Sequence, residues 1–418
     1  MSQITDDCFA FGGPLMRASD ALALILERTP AVTGTGTHPL NRAAGHVLAE
    51  DVIARSASPP HDNAAVDGYA FRSGDLGPAG ETVLSVRGRA AAGHPEGRML
   101  QAGEAARIFT GAAMPRGADT VVMQEDVRHP EDGRIAVPAG LKPGANRRKA
   151  GEDIAAGRVL LRAGERLGPA ELALAAAGGL SDLPVRERPR VAVLSTGDEI
   201  RPAGSPLNHG DVHDANAPML LGLLRRLGVE AEHHGIVADD RAAVREALER
   251  AASADLVITS GGASTGDEDH VRDAVGELGA VHLWRLAIKP GRPLAFGHVG
   301  GTAFAGLPGN PVAVMACFLM FVRPLLDRLE GAAPRPLRRW PVRAGFEMTS
   351  KPDRLEWLRG SLTPGADGEL IAERYPRQGS GIIHSLTESD GLIEIPEEMT
   401  AIRAGDRLGF ISFREAMS

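Results

Sequence analysis

The sequence predicts a multidomain α/β protein: a central parallel-sheet α/β/α domain, accompanied by a helical domain, an inserted β domain and a further β domain at the C-terminal end. Three observations predict it. At 418 residues the chain is longer than one hydrophobic core usually organises, at roughly 100 to 200 residues per domain. Between about residues 186 and 331 strand-like and helix-like segments alternate, the pattern of a parallel sheet with helical crossovers. On both sides of that stretch short β-branched runs are cut by glycine, proline and aspartate, consistent with 51 Gly and 29 Pro in the whole chain.

In chain order, SDALALILERTPAV from Ser19 reads as an amphipathic or buried helix, with Ser19 or Asp20 offering a capping oxygen. The runs ETVLSVRGRA, AARIFTGAA, ADTVVMQEDV and GRIAVPA make residues 56–141 a small β domain. In GERLGPAELALAAAGGL, Pro169 near the start and Gly178 and Gly179 at the end frame an Ala/Leu helix. Packing of that helix on the early one would join residues 15–55 and 142–185 and make the β domain an insertion. Then RVAVLSTGDEI, VEAEHHGIV, ADLVITS and a strand at 284–288 alternate with helices beginning near Asn216, at RAAVREALERAA and at DHVRDAVGEL. Asn310 and Pro311 read as N-cap and first residue of the last long helix. Residues 335–418 return to short strands with an Asp367-Gly368 hairpin turn, a small barrel or sandwich.

A net charge of −8 excludes a protein that coats nucleic acid or an anionic membrane by bulk charge, so a polyanion must be bound locally. Only four of the 46 basic residues are lysines: Lys142, Lys149, Lys289 and Lys351. Cys8 and Cys317 are the only cysteines, which excludes a disulfide scaffold or structural zinc site. The first residues lack a basic stretch followed by a long apolar one, and the apolar run at 311–322 is short of the ~20 residues that span a bilayer. A cytoplasmic protein is expected, with no membrane or nucleic-acid partner.

In an open parallel sheet ligands gather beyond the carboxyl ends of the strands. Four unusual sequences fall there: STGDEI, VADD, SGGASTGDED and AIKPGRP. Gly261 and Gly262, with Ser260, Ser264 and Thr265, can form a nest of amides and hydroxyls for an oxyanion. A plain tight strand-to-helix turn uses the same glycines. Carboxylates crowd this rim: Asp198, Glu199, Asp240, Asp267 and Asp269. They would repel a phosphate unless a divalent cation stood between, and Mg²⁺ is held by just such oxygens. Lys289 and Arg292 add fixed positive charge. The implied ligand is phosphorylated and metal-bridged. GTGTHP follows no convincing strand, and GxxxxGK[ST], GxSxG and HExxH are all absent, so dinucleotide oxidoreductases, P-loop NTPases, serine hydrolases and zincins are unsupported.

With these residues in hand, the chain resembles the molybdopterin molybdenumtransferase (MoeA) family over nearly its whole length. The motifs, in order, are PPHDNAAVDGYAF, IFTGAAMPRGADTVVMQEDV, NRRKAGEDI, RVAVLSTGDEI, SGGASTGDED, AIKPGRP and GLPGNP. The resemblance implies four domains: a discontinuous helical one (15–55 and 142–185), an inserted β domain (56–141), an α/β domain (186–331) and a C-terminal β-barrel (335–418). It implies a homodimer whose site lies between the α/β domain of one chain and the β domain of the other. The implied reaction inserts molybdate into adenylylated molybdopterin, releases AMP and uses Mg²⁺. Roles carried over by position put Glu199, Asp240 and Asp269 at the metal, Asp62 and Thr110 beside them in catalysis, and Arg147 with the substrate. Arg285, Lys289, Pro308 and Pro311 would shape the anion site, with Arg354 and Ser380 helping from the last domain to hold anion or pterin, and Asp198, Ser260, Gly261, Gly262, Ser264 and Arg292 are further substrate-binding candidates. A molybdopterin adenylyltransferase and acceptor molybdoenzymes would be transient partners.

The chain departs from the family pattern at His61, Ala64 and Val66, which flank Asp62 and Asp67, and at Arg285 and Arg292, where lysine is expected. An arginine keeps the charge but replaces a point donor with a planar fork. Two other readings compete: an adenylyltransferase-type enzyme that uses the α/β segment alone, and a non-catalytic dimeric scaffold.

Overall fold

The computed structural model describes residues 15–261 and 270–417. The chain divides into two compact units, Thr37–Val185 and a second made of Met1–Gly36 with Arg186–Ser418.

Helix α1 (Ala18–Arg28) buries Ala18, Ala21, Leu24 and Ile25. Its start differs from expectation. The N-cap is Arg17 with no side-chain cap, and Ser19 spends its hydroxyl on Asp20. In the unit Thr37–Val185 a five-stranded sheet comprises β1 (Gly68–Phe71), β2 (Glu81–Ala90), β3 (Glu104–Ile108), β4 (Thr120–Met123) and β5 (Arg134–Pro138), in the order β4-β1-β3-β2-β5. Consecutive side chains point to opposite faces. Ala70 therefore joins Ile108 and Val121 in one core, while Phe71 joins Leu84, Val122 and Val137 in another. Helix α2 (Pro169–Ala177) starts at its proline and ends at Gly178, as the sequence predicts, and Glu171 accepts the Gly168 amide at 2.9 Å.

Within Arg186–Ser418 the elements run β6 (Arg190–Thr196), α3 (Asn216–Arg226), β7 (Glu230–Val237), α4 (Arg241–Ala251), β8 (Leu256–Ser260), α5 (His270–Leu278), β9 (Gly279–Arg285), β10 (Pro293–Val299), β11 (Thr302–Leu307), α6 (Pro311–Cys317) and α7 (Arg323–Glu330). The sheet order is β7-β6-β8-β11-β10-β9. Its first four strands are parallel. The fourth is Thr302–Leu307, not a strand at 284–288 as expected. The chain turns back through Gly300 and Gly301, which makes β10 antiparallel to β11 and leaves β9 antiparallel at the edge. Val191 and Val193 pack with α1, α3, α6 and α7 on one face, and Ala192 and Leu194 with α4 and α5 on the other. A strand buried on both faces is the reason RVAVLST reads as a continuous apolar run. Helix α1 contacts α7, whereas α2 belongs to a separate core with Leu48, Val52 and Leu161.

The last region closes on itself. Strands β12 (Trp340–Ala344), β13 (Leu355–Pro364), β14 (Leu370–Arg374), β15 (Gly391–Ile395) and β16 (Arg407–Ser412) pair in the cycle β13-β14-β12-β16-β15-β13. That closure is a barrel and removes the sandwich alternative. The β13–β14 hairpin turns at Asp367-Gly368, with Gly368 at φ +83°. Ile288 and Lys289 pair in parallel with Leu355 and Glu356, so the KPGRP turn is seated on the barrel edge.

Candidate active site

A cleft of about 1110 Å³ lies at the carboxyl ends of β6, β8 and β11, closed by the KPGRP turn and by barrel residues 378–381. Of the residues predicted from the sequence, Glu199, Ser260, Gly261, Lys289, Arg292, Pro308, Pro311 and Ser380 line it. The turn after β8 needs its first glycine: Gly261 has φ +96°, and a Cβ there would stand 2.4 Å from the Thr196 carbonyl oxygen. Gly291, at φ +94°, lets KPGRP pass over Cys317, whose Sγ would be 2.3 Å from an added Cβ. Among the described residues, Thr196 Oγ1 and Asn216 Oδ1 are buried with no hydrogen-bond partner, and both residues line the cleft.

The acidic side of the cleft differs from expectation in two respects. Asp240 is the N-cap of α4 and accepts the Ala243 amide at 2.9 Å, whereas its neighbour Asp239 lines the cleft. Asp198 is not in the lining. Its carboxylate accepts the Asp239 amide at 3.0 Å, and so steers Asp239. Sequence reasoning missed Asp214, which is 8% exposed, lines the cleft, accepts the Ser195 hydroxyl at 2.5 Å and takes the amides of Asn216 and Ala217. Among the described residues, the carboxylates that line the cleft are therefore Glu199, Asp214 and Asp239.

On the basic side Lys289 Nζ lies 3.0 Å from Glu356, which also accepts from Arg354 and, at 2.9 Å, from Ser350. The Glu356 side chain is only 1% exposed. Burial alone would raise its pKa, but the donors Arg354, Lys289 and Ser350 hold it below the ordinary glutamate value. Glu356 is the second residue the sequence concealed: one carboxylate gathers two of the predicted cations. Lys289, Arg292 and Arg354 also line an adjoining hollow of about 710 Å³ with Arg17 and Lys351. Arg285 ends β9 and lines neither; its carbonyl accepts the Met16 amide at 3.3 Å.

In the unit Thr37–Val185 the predicted residues form two pairs. Asp62 accepts the Ala150 amide at 2.8 Å and stands 3.4 Å from Arg147. Thr110 gives its amide and hydroxyl to Asp67 at 2.8 and 2.7 Å, and these two bonds lower the Asp67 pKa. Gly262, Ser264 and Asp269 lie outside the described residues. Among the described residues no group of three or more metal-ligating side chains converges. Glu199 and Asp239 offer hard oxygen donors, which suits a magnesium ion held partly by substrate phosphates rather than by a full protein cage.

Three family models match the chain in order: the MoeA N-terminal region (domains I and II) at residues 16–179, a probable molybdopterin-binding domain at 192–328, and the MoeA C-terminal region (domain IV) at 341–413. The molybdopterin molybdenumtransferase of Haemophilus influenzae is 35% identical over 405 residues, covering 96% of this chain and 100% of that protein. Molybdopterin molybdenumtransferase 2 of Mycobacterium tuberculosis is 37% identical over 385 residues, covering 89% of this chain and 93% of that protein. The crystal structure of the MoeA protein of Pyrococcus horikoshii superposes with a TM-score of 0.83 at 31% identity, over 96% of this chain and all of that one. Similarity that runs through every region of the molecule at these identities makes the chain a member of the MoeA family of molybdopterin molybdenumtransferases.

Proposed function

We propose that this protein is a transferase of molybdenum cofactor biosynthesis that inserts molybdate into adenylylated molybdopterin and releases AMP. The observation that carries the reading is the full-length relationship, with the N-terminal, central and C-terminal regions all matched. An enzyme that used the α/β segment alone would not need the barrel, yet Gln378, Gly379, Ser380 and Gly381 of the barrel region form part of the cleft wall. A pure scaffold would not need Glu199 and Asp239 turned into that cleft.

The chemistry follows from the two sides of the cleft. Molybdate is a tetrahedral dianion, which the cations Lys289 and Arg292, with the Ser260 and Ser380 hydroxyls, are suited to hold. Magnesium, when bound by Glu199 and Asp239, supplies charge neutralisation at the pyrophosphate link. Asp214 is occupied by Ser195 and the start of α3, so it orders the floor of the cleft instead. Glu356 keeps Lys289 and Arg354 at a fixed separation for an oxyanion arriving from solvent. We further propose a homodimer in which Asp62, Thr110 and Arg147 serve the partner's substrate, in a cytoplasmic setting with transient adenylyltransferase and molybdoenzyme partners.

The test is AMP release from adenylylated molybdopterin on addition of molybdate, with tungstate at matched concentration as comparison. Molybdate-dependent AMP release is expected. Consumption of ATP with free molybdopterin would instead identify an adenylyltransferase, and light scattering decides the dimer.

A further inference from the structure

Two histidines meet away from the cleft, at the antiparallel edge of the sheet. His282 on β9 and His298 on β10 bring Nε2 of the first to 3.1 Å from Nδ1 of the second, with ring centroids 5.1 Å apart. The backbone makes this meeting possible. The β9–β10 register shifts between Val281 and Leu283, and a bulge of this kind re-aims the side chain within it, here His282. Two glycines let the strands come close. A Cβ at Gly297 would stand 2.1 Å from the Ala280 carbonyl oxygen, and one at Gly279 would stand 2.0 Å from the His298 carbonyl oxygen and 3.2 Å from its ring carbon Cδ2. The pair borders a hollow of about 180 Å³ whose wall includes Thr29, Phe296, Leu329 and the exposed Arg28. None of these residues lines the cleft.

Two imidazole nitrogens 3.1 Å apart stand at the separation of neighbouring ligands on one metal ion. With metal–nitrogen bonds of about 2.0–2.1 Å they subtend about 100° at the ion, between the ~90° of an octahedron and the ~109° of a tetrahedron. The charge state agrees with that use. Burial first, then the neighbouring His298 and Arg28, hold the His282 pKa below the ordinary histidine value, so its ring is neutral at pH 7 and keeps a lone pair to give. Neutral imidazole suits zinc and copper, whereas magnesium prefers oxygen. We propose that His282 and His298 chelate one zinc or copper(II) ion, with water in the hollow completing its coordination. Each ring then carries its hydrogen on the nitrogen turned away from the ion. Arg28 repels the ion, but its exposure leaves that charge to be screened by solvent. The ion would clip the edge strand β9 to β10. Its ligands are 16 positions apart, which is why no ligand-spacing motif announces them.

The test titrates zinc calorimetrically into the full chain with magnesium in excess, and repeats the titration on His282→Gln and His298→Gln. One zinc ion per chain should depend on the pair, and each variant should weaken its binding at least about tenfold, because a chelate becomes a single ligand. Copper(II) gives a second readout that a change in folding stability would not mimic. The electron paramagnetic resonance spectrum of the wild-type complex should show coupling to two imidazole nitrogens, and that of each variant to one. Zinc should also raise the melting temperature of the wild type and leave that of the double variant unchanged. Zinc affinity equal to wild type in both variants would overturn the proposal. So would a wild-type chain that binds no zinc, displacement of zinc by magnesium, or the same copper spectrum from all three proteins.

Discussion

The cleft of Arg186–Ser418 and the Asp62–Thr110 surface of Thr37–Val185 hold their polar groups in opposite ways. In the cleft the functional side chains rest on buried polar anchors: Glu356 under Lys289 and Arg354, and Asp214 under Ser195 and the start of α3. In the other unit Asp67 meets an exposed Thr110, and Asp62 and Arg147 remain 38% and 24% exposed. A buried anchor cannot be changed without altering stability, because its partners lose both a counter-charge and their solvation. An exposed pair can be changed almost freely, because water replaces the lost partner. Substitutions in the cleft should therefore couple stability to activity, and those on the other surface should separate them.

Glu199 tests the comparison at its edge, since it lines the cleft without serving as an anchor. Glu199→Gln should keep the wild-type melting temperature and reduce molybdate-dependent AMP release by at least about a hundredfold. Wild-type turnover would remove it from the reaction. Glu356→Ala strikes an anchor, and should cost about 2 kcal/mol in denaturant titration while weakening molybdate binding, the figure being discounted for the 46% exposure of Lys289. The same carboxylate sets a pH dependence. Its folded pKa is lowered, so its stabilisation is present above the ordinary glutamate range and disappears as pH falls through the folded value. Melting curves of wild type and Glu356→Gln should accordingly converge in acid and separate toward neutral pH; a constant gap would show that the charge is not what matters.

Gly261→Ala should destabilise by about 1–3 kcal/mol, because φ +96° and the Thr196 carbonyl leave no room for a methyl group. A neutral result by thermal melting would mean that the turn relaxes. The smallest structural effect is expected for Thr110→Val, within about 0.5 kcal/mol of wild type because the site is exposed. If the proposed role of Thr110 is right, AMP release falls all the same. A large loss of stability there would break the contrast between the two regions.

Much of the fold was legible because it is written in local periodicity. The alternating faces of β6, the proline-started and glycine-ended α2, and the Asp367-Gly368 hairpin each follow from residues close in sequence. The motifs likewise brought eight of the predicted residues to one cleft, because strand ends in an open sheet converge wherever the loops lead. What local pattern did not reveal was competition for the same group. Asp239 and Asp240 are adjacent and chemically alike, and only the start of α4 decided that Asp240 caps a helix while Asp239 lines the cleft. Glu356 carries no motif at all. Its importance arises from burial and from partners such as Lys289, 67 positions away in the chain.

The sequence by itself thus determined the family, the α/β core with its flanking β regions, and the chemical character of the site, because these depend on residue type and short-range spacing. Tertiary structure alone decided which carboxylate faces the cleft, that the edge of the sheet runs antiparallel, and that the last strands close into a barrel. Those outcomes depend on strand direction, burial and long-range pairing, for which neighbouring residues in the sequence provide no signal.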